Sequence, residues 1–313
     1  NGTINALQEY EVNKGDCLSP EGSILYIHDL NNGTIKDITT NGRRCAQKGL
    51  FLVNCKGVII ENCSVADFDG IDKTMSWGIR CNNCSNIELS NSYIYNIIAS
   101  PVGENGGCIG SSAGVVYEHT VNSSIKKCII ENIQSVRDGD AILIASIPNV
   151  NKRPAPARYD LYDNVNVVIS NNTIKANKDS KRCIKIQANG VKIIDNYLQK
   201  IYKNKTNVVS IYASNVAVEN NLIDSEEYYT IGIGTPYIDF LSDIVVRSNI
   251  INHNTTTDWC SCIYVVGSSL KSFVVENNTV NILNRLNSFC DIRGGLDSVI
   301  ISNNIVNGGS YFF

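Results

Sequence analysis

Two short stretches hold the residues best suited to chemistry. Asp138-Gly-Asp140-Ala-Ile142 supplies two carboxylates, and Arg182-Cys-Ile184-Lys185 supplies two cations in the same small–apolar frame. If the two stretches occupy one register on successive strands, the Asp140 and Arg182 backbones approach to roughly 5 Å. Carboxylates so placed can move protons, cations can hold acidic groups, and aromatic faces can stack on sugar rings. Asp138, Asp140, Arg182 and Lys185 are therefore read as catalytic. Arg137, Arg153, Arg158, Tyr159 and Asp163 approach from flanking segments, Glu104 from one repeat earlier, and Tyr212, Glu226 and Tyr229 from later repeats. These nine are read as substrate-binding. The bland reading of the same residues is a solvated ladder of ion pairs, worth little energetically.

Two reaction routes fit such a set. In a hydrolase, Asp138 or Asp140 is the general acid and Glu104, Asp163 or Glu226 holds the water, with an inverting pair roughly 6.5–9.5 Å apart. In a lyase, Lys185 or Arg182 takes the proton next to a uronate carboxylate neutralised by arginine or Ca²⁺. No cofactor is otherwise called for, and Ca²⁺ enters only on the lyase route. The basic residues around the site, Lys152, Lys178 and Lys181 among them, point to an acidic polysaccharide.

The elements that must position these groups are visible as an internal repeat. Val58–Val65 (VIIENCSV) recurs as IELSNSYI at 87–94 and VVISNNTI at 167–174. Asn62, Asn91, Lys127, Asn171, Asp195, Asn220, Ser248, Asn277 and Asn303 mark equivalent points. Their spacing stays between 24 and 29 residues and widens to 36 and 44 at two steps. A near-constant period with insertions at few steps is the behaviour of a solenoid. Each repeat reads as three short alternating segments, so strands rather than helices. The marker is followed by Ser92, Asn172, Asn196, Asn221, Asn249, Asn278 or Asn304; asparagine suits a left-handed bend, and stacked amides can pair between coils. One strand series reads Gly49-Leu50, Gly78-Ile79, Cys108-Ile109, Ala141-Ile142, Cys183-Ile184, Ser210-Ile211, Thr230-Ile231 and Cys262-Ile263, with the large residue inward and the small one outward. The expectation is an all-β, parallel solenoid of about ten coils and a single domain over 1–313, with 1–21 as a lead-in.

Composition removes several classes. With 27 Lys and Arg against 30 Asp and Glu, the net charge of -3 marks no nucleic-acid binder. No apolar run approaches the roughly 20 residues that span a bilayer. There is no Gly-rich phosphate loop, no His pair at metal spacing and no Gly-x-Ser-x-Gly elbow. His28, His119 and His253 are dispersed and read as surface or satisfied positions. Cys81-Asn-Asn-Cys84 lacks the further ligands zinc needs, so no metal site is assigned. Cys55 falls over Cys84, a buried thiol stack or a disulfide; the twelve cysteines as a group read as mostly reduced. The chain opens at Asn1 with no Met, signal peptide or basic leader, and is read as a mature chain or excised fragment.

GIRCNNCSNIELSNSYI at 78–94 resembles the repeat of the pectin-lyase-like right-handed parallel β-helix superfamily, over residues 22–308. That superfamily includes pectate lyases, polygalacturonases and phage tailspike depolymerases. GDAILI at 139–144 is similar to the Asp-Asp-Cys-Ile strand start of polygalacturonases with Gly139 in place of the first Asp, and RCIK at 182–185 to their Arg-Ile-Lys motif with one residue inserted. Their Asn-Thr-Asp and Gly-His-Gly motifs have no counterpart in register. Read as this family suggests, the asparagine bend lies between the second and third sheets, and the Gly78-Ile79 series is the first sheet. Most connections after that sheet are tight; Ser112–Asn122, Ala145–Asn164 and Gly234–Asp243 read as longer loops. The longest, 145–164, is stiffened by three prolines and reads as a groove wall.

The resemblance implies a polysaccharide depolymerase, hydrolase or lyase, acting outside the cell or on a virion surface, free or within a tailspike. Its partner is the polysaccharide, with no nucleic acid or membrane, and a homotrimer is the assembly it leaves open. The alternative is a non-catalytic glycan-binding or structural β-helix of the adhesin-stalk type. The insertions around Asp138 and Arg158 favour the enzyme, since a spacer keeps near-uniform coils.

Overall fold

A computed structural model describes residues 2–5, 22–43, 47–69, 76–99, 111–135, 138–146, 163–177, 179–202, 206–235 and 240–309. Within them the chain is all β: a right-handed parallel β-solenoid of about nine turns, with three parallel sheets and no helix. Contacts divide it into two compact units. The N-terminal unit is Asn1–Leu143 with Asn172–Lys181; the C-terminal unit is Ile144–Asn171 with Arg182–Phe313.

In the N-terminal unit the first sheet runs Ser23–His28, Lys48–Val53, Ser76–Asn82, Ser111–Glu118 and Asp138–Ala145, whose last two residues fall to the other unit. The second sheet is Asn31–Lys36, Lys56–Glu61, Glu88–Ser90 and Ser123–Lys126. The third is Gly2–Asn5, Ile38–Asn41, Ser64–Asp69, Tyr93–Ala99, Ile129–Ser135 and Thr173–Ala176. Part of the expected lead-in is thus a paired strand, Gly2–Asn5 lying against Ile38–Asn41. The C-terminal unit repeats the plan. Its first sheet is Arg182–Gln187, Asn207–Ile211, Tyr229–Ile233, Ser261–Val266 and Ser288–Arg293. Its second is Asn164–Ser170, Asn189–Ile194, Val216–Glu219, Ile244–Arg247, Phe273–Glu276 and Val299–Ser302, and its third Tyr197–Lys200, Leu222–Ser225, Ile250–His253, Thr279–Ile282 and Ile305–Gly308.

The marker column fixes each turn. All nine markers adopt positive φ, between 49° and 58°. Among non-glycine residues Asn and Asp enter this region at least cost. The next residue points into the core and pairs with its neighbour. In the C-terminal unit the Asn249 Oδ1 accepts from the backbone N–H of Asn221 at 2.9 Å and from its amide at 3.0 Å, while the Asn249 amide donates to Val218 O and to Asn278 Oδ1. Asn196, Asn221 and Asn278 repeat the pattern. In the N-terminal unit Ser92 accepts from the Cys63 N–H, and Asn172 from the Cys128 N–H. Alternation does the rest: Val216–Glu219 and Phe273–Glu276 bury every second residue.

Three sequence expectations about the first sheet change. Cys108-Ile109 lies outside the described residues, and the place beside Gly78-Ile79 is taken by Gly114-Val115, within the strand Ser111–Glu118. The stretch Ser112–Asn122 is therefore largely strand, not a loop. Ser210-Ile211 is displaced by two residues, since Ile184 pairs with Val209. The small member of each pair also does not point outward. A Cβ on Gly78 would lie 2.8 Å from Ile94 Cγ2, and Ala141, Cys183, Thr230 and Cys262 are all buried. The strand turns toward the core there, so the small residue fills the corner. Of the other long connections, Gly234–Asp243 contains a two-residue strand, Phe240–Leu241, paired with Ser269–Leu270, and 147–162 lies outside the described residues.

Candidate functional site

Asp138, Asp140, Arg182, Lys185 and Tyr229 fall on strands of the first sheet, and each unit presents its outward face differently. In the N-terminal unit Lys48 pairs with Trp77, and Trp77 with Ala113. Each strand's Gly packs on the carbonyl of its partner in the next, Gly49 on Gly78, Gly78 on Gly114 and Gly114 on Ala141. Asp140 is thus level with Ala113, in the column that begins Lys48 and Trp77. The next outward column is Phe51, Arg80 and Val116, with Leu143 packed against Trp77, Ala113 and Val116.

This face is covered. Asp140 is 2 % exposed and Arg80 4 %. The Arg80 guanidinium lies 4.0 Å from the Trp77 ring centroid and 5.3 Å from that of Phe51, Lys48 Nζ lies 5.1 Å from Phe51, and Arg80 pairs with Glu118. Such contacts hold cations effectively once water is excluded. Arg80 leaves the outer side of its strand and is buried there among aromatics. Asp138, the first residue of the Asp140 strand, is half-buried.

In the C-terminal unit the same face is more open. Lys185 is half-buried beside Ser210, and that column continues through Gly232 and Tyr264 to Asp291. Tyr212, placed among the substrate-binding residues, is not beside Lys185: it follows the strand Asn207–Ile211 at its exit end, its N–H donating to Ile186 O. Arg182, half-buried, is level with Asn207, in the column that runs on to Tyr229, Ser261 and Ser288. The Tyr229 and Tyr264 rings stack at 4.1 Å between centroids and 9° between planes. Arg293 sits 5.4 Å from the Tyr264 ring and grips the Asp291 carboxylate through Nε and an Nη at 2.8–3.1 Å. Burial, with Tyr264 adding to it, raises the Tyr229 phenol.

Tyr264, Asp291 and Arg293 are absent from the sequence reading. The frame that singles out Lys185 in Arg182-Cys-Ile-Lys185 also singles out Tyr264 in Ser261-Cys-Ile-Tyr264 and Asp291 in Ser288-Phe-Cys-Asp291. That shared frame is the signal that finds them.

The carboxylates named as water-holding candidates separate. Glu226 precedes the strand Tyr229–Ile233 at its entry end, its N–H donating to Lys200 O. Asp163 is exposed at the opposite corner, before the strand Asn164–Ser170, with Oδ2 accepting from Ser146 at 2.8 Å. With about 3.3 Å of rise per strand residue, the two serve different ends of the first sheet. Glu104, Arg137, Arg153, Arg158 and Tyr159 lie outside the described residues.

Among the described residues no cluster of three His, Cys, Asp or Glu is arranged to hold a metal. The nine described cysteines are buried, and Cys55 and Cys84 form no disulfide, the Cys55 N–H donating to Cys84 Sγ at 3.3 Å. Burial pushes the Cys84 thiol up to about 11 and the Cys128 and Cys290 thiols to about 12. His253 is neither at the surface nor fully satisfied: Nδ1 meets Thr230 Oγ1 at 3.0 Å, while the buried Nε2 has no hydrogen-bond partner.

No family model matches the sequence, and no curated protein is similar to it. Solved structures are similar in fold. The tailspike of Escherichia coli bacteriophage HK620, solved in complex with a pentasaccharide, is 12% identical with a TM-score of 0.62, over 98% of this chain and 56% of its own. The tailspike gp61 of Pseudomonas phage phi297 is 12% identical with a TM-score of 0.61, over 88% of this chain and 42% of its own. The Streptococcus pneumoniae surface protein and adhesin PfbA is 16% identical with a TM-score of 0.53, over 88% and 78%. The chain thus spans about half the length of the tailspikes it resembles. These likenesses show the fold alone, a right-handed parallel β-helix.

Proposed function

We propose that this chain binds and cleaves an acidic polysaccharide on the outward face of its first sheet, at a virion or cell surface, as part of a tailspike-like protein. The observation that carries the reading is the C-terminal unit's face, where half-buried Arg182 and Lys185 share the sheet with the Tyr229–Tyr264 stack and the Asp291–Arg293 pair. Cations for uronate groups, fixed rings for sugar faces and carboxylates for proton transfer are the requirements of a polysaccharide-cleaving site. Arg182 and Lys185 are the catalytic residues proposed on this face, and Asp138 and Asp140 those proposed on the face of the N-terminal unit, each unit taken by itself. The HK620 tailspike's pentasaccharide supports a glycan ligand; the assembly proposed with it is a homotrimer.

The test is incubation with a panel of capsular and pectic polysaccharides. Unsaturated, ultraviolet-absorbing products identify a lyase; new reducing ends alone identify a hydrolase. Binding without either product would leave the second reading, a glycan-binding adhesin. The PfbA likeness and the burial of Asp140 favour that reading.

A further inference from the structure

Lys127 breaks the rule of its column. The other eight markers are Asn, Asp or Ser, residues whose short polar side chains suit the left-handed bend, yet Lys127 holds φ 54° there. Long side chains adopt this region rarely, and such outliers gather at functional positions. Lys127 is exposed, and its ammonium makes no ion pair or hydrogen bond among the described residues, whereas its neighbour Lys126 pairs with Glu88 at 2.7 Å.

It stands at a cleft of about 720 Å³ on the bend between the second and third sheets of the N-terminal unit. Asp37, Asn62, Asn91, Tyr93 and Ile129 share the lining. The Tyr93 ring is held in place, stacked on Tyr95 at 4.4 Å with its hydroxyl donating to Glu131. Ile129 pairs in register with Tyr93 and leaves 46% of its surface exposed. The Asp37 carboxylate is held from one side by the Asn62 amide. The cleft thus offers a rigid apolar wall, a fixed acceptor, carboxamides and one uncommitted cation. A wall of this kind packs on the C–H face of a pyranose, and the polar groups fix its substituents.

We propose that this cleft is a glycan subsite for a uronate residue, with Lys127 holding the sugar carboxylate and Tyr93 and Ile129 packing on the ring. It rests on the glycan reading above but lies on a different face from the first sheet.

The probes are tetragalacturonate and its methyl ester, titrated calorimetrically into the full chain. The wild type is expected to bind the acid more tightly than the ester. Lys127→Asn, which restores the residue most common in the column, is expected to weaken the acid at least about fivefold, leave the ester unchanged and keep or raise the melting temperature. Ile129→Asp should weaken both. Equal binding of the acid by wild type and Lys127→Asn overturns the subsite, and so does no binding of the acid. If polysaccharide from the panel is cleaved normally by Lys127→Asn and binds it unchanged, the subsite fails and the first-sheet reading stands. If Lys127→Asn loses acid binding while Asp140→Asn and Lys185→Ala leave turnover unchanged, the subsite stands and the assigned catalytic residues fail.

Discussion

Lys200 Nζ lies 3.2 Å from Glu227 Oε1 in the C-terminal unit, and neither side chain reaches solvent. Lys200 closes the strand Tyr197–Lys200, level with Ser225. Glu227 takes a second hydrogen bond on Oε2 from the Thr206 N–H at 3.1 Å. Two charges out of water repay their desolvation only when mutual geometry and extra hydrogen bonds are good. This pair meets that condition at the corner leading into the first sheet.

Removing one partner is therefore costly. Lys200→Met strands a buried carboxylate and is expected to lower stability by about 3–5 kcal/mol. Adding Glu227→Leu should restore most of that loss, because no charge is then buried. Denaturant melts of the single and double variants read the difference; a double variant as unstable as the single would show that Lys200 acts by packing alone.

His253 predicts a pH dependence. Burial lowers its imidazole from 6.5 to about 4, so the folded protein holds it neutral while the unfolded chain protonates it more readily. The associated stability is complete above about 6.5, is lost as pH falls from there to about 4, and falls no further from this group below that. The shift corresponds to about 3 kcal/mol. His253→Leu should be less stable at neutral pH, because Thr230 loses its partner, yet its stability should fall by that much less between pH 7 and 4. Parallel pH–stability curves for the two proteins would sink the assignment.

The asparagine ladder should be intolerant of shortening. Asn249→Ala leaves the Asn221 N–H and Val218 O each short of a partner in the core, while Asn278 Oδ1 keeps the Asn249 backbone N–H. At about 1–3 kcal/mol for each buried group so orphaned, partly relieved by relaxation, a net loss of about 2–4 kcal/mol is expected. Hydrogen exchange should then rise at the Asn221 amide before it rises in strands farther away.

Asp140→Asn and Lys185→Ala are each expected to lower turnover of the cleaved polysaccharide by ~10²–10⁴-fold. Lys185 is half-buried on an outward face, so its loss should leave the melting temperature nearly unchanged. Lower melting temperature with unchanged turnover in both variants would place these residues in a structural ladder instead.

Periodicity made the repeat legible because the bend between the second and third sheets needs a positive-φ residue in every turn, and Asn, Asp and Ser mark that requirement openly. The register of the first sheet was less so. Cys108-Ile109 and Gly114-Val115 satisfy the same small–apolar frame, and nothing local distinguishes them; pairing with Gly78-Ile79 does. Ser210-Ile211 misleads for the same reason, and Tyr212 is carried two residues away from Lys185 with it. The Lys200–Glu227 pair and the His253 environment were invisible because corner residues read as solvated connections. Their burial follows from how successive corners stack, which spacing does not reveal.

The ladder from Asn196 to Asn304 has one more consequence. From Asn221 to Asn304 each side-chain carbonyl accepts from the turn before, so these C=O bonds point the same way along the stack. Their dipoles add instead of cancelling, and each hydrogen bond polarises the next. The C-terminal unit therefore carries a directional electrical axis inside its apolar core, comparable in origin to the macrodipole of an α-helix but built from side chains.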